Sequence, residues 1–210
     1  MKKQGILVVV SGFAGTGKGT VMKELLNRYD SYALSVSATT RSPRPGEVDG
    51  REYFFKSKEE FEQMIREGAF VEYACYVGNY YGTPKKYVEE QLADGKDVIL
   101  EIEIQGALSI KKQFPEAVLL FIAPPSAEVL KQRLVSRGTE TQDVIEKRLA
   151  RAVEEAQGIE NYDYLVVNDH LEECVTTVHQ MIQSEHWKMS RRQKEVEELK
   201  NQISAFAKGE

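Results

Sequence analysis

The sequence predicts a parallel α/β fold in which one sheet lies buried between helices on both faces. Two observations carry this. Short apolar runs at residues 6–10, 98–102, 118–122 and 164–167 are rich in Val, Ile and Leu and do not alternate strictly with polar residues, as strands covered on both faces require. Helical patterns stand between them, and strand alternating with helix at this cadence builds a parallel sheet through crossover connections.

Taken in order, the first run follows Met1-Lys2-Lys3-Gln4-Gly5, which gives it the outline of a signal peptide. It ends at Ser11-Gly12, short of the ~7–15 residues of a signal core and of the ~20 that cross a bilayer. A buried strand accounts for it better. A helix through Val21, Met22, Leu25 and Leu26 follows. Residues 37–93 then break the alternation. Pro43, Pro45, Gly46 and Gly50 precede aromatic, β-leaning segments at 53–55 and 70–77, which reads as an inserted mixed α/β lobe. Inside it, Thr83-Pro84 reads as an N-cap with proline at the first helical position, followed by Tyr87, Val88 and Leu92 at helical spacing and closed by Gly95.

Ser126, after Pro124-Pro125, opens a further helix through Val129, Leu130 and Leu134. Residues 137–158 are charged and polar and read as part of a second, mobile insertion. From Leu171 onward the chain reads as one long helix, apolar first at Val175, Val178 and Ile182 and again at Leu199, Ile203 and Phe206. Its distal half is either a solvated face or a contact between copies of the chain. The expected division is a core of 1–36, 94–125 and 159–210, an inserted lobe of 37–93, and a helical lid of 126–158.

The 210 residues carry 33 acidic against 28 basic groups, a net charge of −5, so no broad electrostatic footprint for nucleic acid or an anionic membrane is expected. An anionic ligand must be held by a local cluster. Cys75 and Cys174 match no metal-ligand or paired redox spacing and read as reduced thiols, which points to the cytoplasm. None of the three histidines reads as a metal ligand or base, and no metal site of the protein's own is expected.

Directly after the first strand stands Gly12-Phe13-Ala14-Gly15-Thr16-Gly17-Lys18-Gly19-Thr20. Glycines at 12, 15 and 17 allow the turns that aim successive N–H groups inward, and the following helix adds the positive end of its dipole. Lys18 can then reach the β- and γ-phosphates of a nucleoside triphosphate. The strict form of this loop has Ser or Thr directly after the lysine, for Mg²⁺; here Gly19 intervenes before Thr20. Gly-Lys-Gly-Thr is a form found in nucleoside monophosphate kinases. A second anion site is offered by Arg41 and Arg44, three apart on a segment stiffened by two prolines, where two guanidinium forks can converge on one phosphate.

The stretch Ser37-Ala38-Thr39-Thr40-Arg41-Ser42-Pro43-Arg44-Pro45-Gly46-Glu47-Val48-Asp49-Gly50-Arg51-Glu52-Tyr53 closely resembles guanylate kinase. So do Phe70-Val71-Glu72-Tyr73-Ala74-Cys75-Tyr76-Val77-Gly78-Asn79-Tyr80-Tyr81-Gly82-Thr83 and, further on, 101–107, the lid-like 133–140 with 147–149, and 162–169. The resemblance implies transfer of the γ-phosphoryl group of ATP, carried with Mg²⁺, to GMP, with dGMP a further candidate acceptor. It puts Ser37, Glu72, Thr83 and Glu103 around the guanine and Arg41, Arg44, Tyr53 and Tyr81 on the GMP phosphate. Guanine offers adjacent N1–H and N2–H₂ donors that one carboxylate accepts in a fork, and a buried Glu72 left unpaired would reject other bases by ~10⁴-fold or more. Tyr80 is expected to pack. Arg137 and Arg148, with Arg133, would arrive on the lid to offset charge on the transferring group, and Asn168 would meet adenine. Where relatives carry aspartates this chain has Glu101 and Glu103.

Two other readings use the same residues. A kinase of this architecture could act on a different phosphorylated acceptor, and a non-catalytic module could hold a protein ligand in the cleft. Glu72 with Ser37 argues against the first, and the intact Lys18 against the second.

Overall fold

In the computed structural model, residues 4–76, 78–136 and 141–207 are described. The chain starts with β1 (Leu7–Ser11), α1 (Lys18–Arg28) and β2 (Tyr32–Leu34). Next come β3 (Ala38–Thr39), β4 (Phe54–Phe55), α2 (Lys58–Arg66), β5 (Phe70–Tyr76), β6 (Asn79–Pro84) and α3 (Lys85–Ala93). It continues through β7 (Asp97–Glu101), α4 (Ile104–Gln113), β8 (Val118–Ala123), α5 (Ala127–Ser136) and α6 (Gln142–Ala156). It closes with β9 (Tyr164–Val167), α7 (Leu171–Glu185) and α8 (Gln193–Ala207).

Five strands form a wholly parallel sheet in the order β2-β7-β1-β8-β9. Side chains alternate across it, so the two faces of β1 meet different helices. Val8 and Val10 point into a cluster with Val21, Met22 and Leu25 of α1 and Val175, Val178 and Ile182 of α7. Leu7 and Val9 join Val88 of α3 and Ala107 and Ile110 of α4 on the other side. Helices on both faces are therefore what keeps these near-continuous apolar strands dry, each buried side chain contributing ~1.5–3 kcal/mol. Register places Val10 beside both Glu101 and Leu120, so the loop after β1 opens at the same edge as the end of β7.

Residues 38–84 build a second, four-stranded sheet ordered β4-β3-β6-β5, with β3–β4 parallel and the other pairs antiparallel. Its small core is aromatic: Phe61 of α2 stacks on Phe70 and on Tyr80 with ring centroids 4.4 and 5.3 Å away. Tyr80 thus packs, as expected. Ser57 and Glu60 close a capping box at the start of α2. A fourth apolar cluster, Leu130 and Leu134 of α5 with Ile145 of α6, takes in Phe13 of the loop after β1. The charged stretch from residue 142 is thus an amphipathic helix seated on α5.

Two expectations are corrected and one strand is added. The strand Tyr32–Leu34 at the sheet edge has no counterpart in the sequence reading, because three residues are too few to show a period. Helix α3 starts at Lys85 with Pro84 as its N-cap, and Thr83 belongs to β6 with its hydroxyl spent elsewhere. The long terminal helix is two helices, broken between residues 186 and 192 around a short 3₁₀ turn, Met189–Arg191. The break has a physical cause in Glu185, which is only 1% exposed. Its carboxylate collects the Tyr164 hydroxyl, Lys188 Nζ at 2.6 Å and Arg191 at 3.7 Å; Lys188, three residues on, is within reach of a continuous helix, but Arg191, six residues on, reaches it only because the helix stops. Beside it, His186 Nε2 lies 2.9 Å from the buried carboxylate of Asp97, which also accepts the Ile6 N–H at 2.8 Å. Cys75 and Cys174 are free thiols, and among the described residues no helix is long and apolar enough to cross a membrane.

Candidate functional site

The loop between β1 and α1 takes its shape from glycine where no other residue fits. Gly15 and Gly17 have φ of +93° and +84°, the left-handed region open to glycine at little cost. A Cβ on Gly12 would stand 2.4 Å from the Ile122 carbonyl oxygen, so the backbone there lies directly on β8. Thr16 is buried and turns its hydroxyl back onto the Phe13 carbonyl at 3.0 Å. Phe13 meets Phe121 edge to face with ring centroids 5.0 Å apart. Lys18 is the first residue of α1, at the helix end where aligned peptide dipoles favour an anion.

Around this loop lies a cavity of about 580 Å³ lined by Lys18, Thr20, Glu101, Glu103, Arg148 and Arg151, together with the loop itself. Lys18 Nζ sits 3.7 Å from Glu101 Oε1, and Gly19 presents its open Cα side toward the same carboxylate. The sequence-predicted loop residues Gly12 to Thr20, Lys18, Glu103 and Arg148 are brought together here.

Arg133 and Asn168 are placed differently from their expected role. Asn168 is 7% exposed, and its amide nitrogen donates to the Thr16 carbonyl at 2.7 Å. Arg133 donates to the Thr16 carbonyl at 3.3 Å and to the Asn168 carbonyl at 2.9 Å. Both side chains brace the loop from behind. Arg137 lies outside the described residues.

On the second sheet, β5 and β6 pair so that Glu72 faces Thr83. Thr83 is buried, and its hydroxyl donates to Glu72 Oε1 at 2.7 Å. Burial raises the Glu72 pKa above the ordinary carboxylate value of 4.5, while the Thr83 hydroxyl and backbone pull it down. Ser37 lies next to β3 and accepts the Phe54 N–H through its carbonyl at 2.9 Å.

Arg41 is held from several sides. Its Nη2 reaches both carboxylate oxygens of Glu47 at 2.9 Å, its Nη1 donates to the Ser42 carbonyl at 2.8 Å, and its guanidinium lies 5.3 Å from the centre of the Tyr53 ring. Glu47 also accepts the Arg44 N–H at 2.7 Å, and that bond with the Arg41 guanidinium holds its pKa below the usual range. Tyr81 packs edge to face on Tyr53 at 6.0 Å. Arg41, Tyr53 and Tyr81 thus form one cluster beside Arg44.

Glu47, Arg151 and Glu155 escaped the sequence reading. The spacing of Arg151 one helical turn after Arg148, and of Glu155 four residues after Arg151, are signals that could have found two of them. Cation and carboxylate are paired at Lys18–Glu101, Arg41–Glu47 and Arg151–Glu103. The arrangement can accept phosphate groups at two places and a hydrogen-bond donor edge at Glu72.

Comparison with known proteins gives one answer. Residues 4–185 match the family described as guanylate kinase. A guanylate kinase of Oceanobacillus iheyensis is 52% identical over 199 residues, 95% of this chain and 97% of that protein. One of Streptococcus thermophilus is 51% identical over 192 residues, 91% of this chain and 92% of that protein. The crystal structure of guanylate kinase from Anaplasma phagocytophilum superposes with a TM-score of 0.71 at 34% identity, covering 90% of each chain.

Proposed function

Given that the chain belongs to the guanylate kinase family and is an ATP-dependent guanylate kinase, moving the γ-phosphoryl group of ATP to GMP, we propose the following assignment of its residues. The loop from Gly12 to Thr20 and Lys18 hold the ATP phosphates, while Asn168 and Arg133 serve ATP by fixing the loop. Arg41, Arg44, Tyr53 and Tyr81 hold the GMP phosphate; Glu72, with Ser37, Thr83 and Glu103, reads the guanine. The observation that carries this reading is Glu72 itself, half-buried and fixed by Thr83, a carboxylate whose remaining acceptor capacity suits two adjacent N–H donors.

Phosphoryl transfer asks the protein for alignment and charge compensation rather than a nucleophile. Lys18 and Arg148, with Arg137, compensate charge on the transferring group, and the Arg41 cluster aims the acceptor oxygen. Mg²⁺ supplies neutralisation of the phosphate oxygens when it arrives with ATP. Among the described residues no three metal-ligating side chains gather. Glu101 at the cavity wall and Thr20 at the start of α1 still fit an ion that keeps its waters and takes one or two protein ligands besides phosphate.

Residues 37–93 and 126–158 serve as lobes that close on the core of 1–36, 94–125 and 159–210, expelling water from the cleft. The enzyme works in the cytoplasm. A second copy of the chain covers α8: Leu199, Ile203 and Phe206 are 57, 56 and 81% exposed, and with Val196 they recur at the three- and four-residue steps of a helix seam. Glu195 and Lys200 flank that seam five residues apart, as charge pairing between two parallel helices requires.

The experiment is ADP release from ATP and Mg²⁺ with GMP, dGMP, AMP, UMP and CMP offered separately. Turnover confined to the guanine nucleotides is expected. Equal turnover of AMP would overturn the role given to Glu72.

A further inference from the structure

We propose that Arg151 is a positioning residue for the guanine end of the GMP site, acting through Glu103 and tying that site to the lid helix α6; this rests on the reading of Glu103 as a GMP contact. Glu103 is the N-cap residue of α4, yet its carboxylate makes no capping bond and its side chain is 63% exposed. A glutamate in that position has three side-chain torsions and no wall to fix them. Among the described residues its charged partner is the Arg151 guanidinium.

Arg151 is itself aimed. Its Nε donates to Glu155 Oε1 at 3.0 Å, one helical turn further on, and the Glu155 side chain is 19% exposed. Arg148, one turn before Arg151, lines the same cavity as Lys18. A line of alternating charge therefore runs Glu155, Arg151, Glu103, from the lid to the end of β7. Ordering Glu103 before GMP arrives spares the ligand the entropy of ordering it. Because the ordering group rides on α6, GMP binding and the position of the lid are linked reciprocally.

The pair is exposed, so its effect is modest, and its signature is where the effect appears. Steady-state KM for GMP and for ATP should be measured in Arg151→Ala, Arg151→Lys, Glu103→Ala and the Arg151→Ala/Glu103→Ala double variant, with a urea midpoint for each. Arg151→Ala is expected to raise KM for GMP roughly three- to fivefold with KM for ATP and kcat nearly unmoved. Arg151→Lys recovers part of the loss, and in the Glu103→Ala background removal of Arg151 changes KM for GMP no further. An equal rise in that background, or a change that appears in KM for ATP instead, overturns the proposal while leaving Glu103 as a GMP contact. If Glu103→Ala alone leaves KM for GMP unchanged, the reading of Glu103 fails and the proposal with it.

Discussion

Across the β5–β6 pair, Thr83 Oγ1 donates to Glu72 Oε1 at 2.7 Å, and this hydrogen bond opposes the upward push that burial gives the Glu72 pKa. Only the ionised carboxylate can accept both guanine donors. KM for GMP should therefore rise as pH falls, and from a higher pH than an ordinary carboxylate with its value of 4.5 would show. Thr83→Val removes the opposing bond, so in that variant the rise begins at higher pH still. The phosphate of GMP titrates identically with both proteins, and the displacement between the two KM–pH profiles isolates Glu72.

Lys18 stands at the start of α1 with its ammonium toward Glu101. Its part in the proposed reaction is to meet charge on the transferring group. Lys18→Met should lower kcat by roughly 100-fold or more while the thermal midpoint stays close to that of the parent, as single-turnover kinetics beside a melting curve would record.

Phe121 is fully buried in β8 and touches Phe13 of the phosphate loop on one side and Tyr162 on the other, with ring centroids 5.0 and 5.3 Å away. Phe121→Ala should cost about 3–5 kcal/mol in urea denaturation. Because the loop loses a wall, KM for ATP should rise more than KM for GMP.

Much of this could be read from the sequence, and what could not has a pattern. The glycines and lysine of residues 12–18 announce themselves because the left-handed turns at Gly15 and Gly17 and the close approach at Gly12 leave no alternative residue. The apolar strands are legible for the same reason, since burial on both faces leaves no polar positions. Tyr32–Leu34 was not, being held in the sheet by pairing with β7 rather than by any periodicity of its own. The break after Glu185 was invisible because nothing local announces that Glu185 is buried: Tyr164, its hydroxyl partner, and Asp97, the partner of His186, lie far back in the chain. Asn168 was expected to meet adenine, and only coordinates could show its amide turned to the Thr16 carbonyl. Glu47, Arg151 and Glu155 look like ordinary surface charges until the fold sets them against other charged groups.

Glu185 offers a test of the cause of that break. Glu185→Gln leaves Lys188 and Arg191 without their shared anion and should lower stability by about 2–3 kcal/mol in urea. Activity at low temperature should hardly change, since none of these groups reaches the cleft.

The most direct measurement of the central claim is kcat/KM for GMP in Glu72→Gln against the parent. Glutamine keeps the size of the side chain and the acceptor that Thr83 uses, but replaces one carboxylate oxygen with a donor that faces guanine's own donors. A fall of ~100-fold or more, with KM for ATP unchanged, is the predicted result. Equal kcat/KM in the two proteins would contradict the assignment of Glu72 as the group that selects guanine.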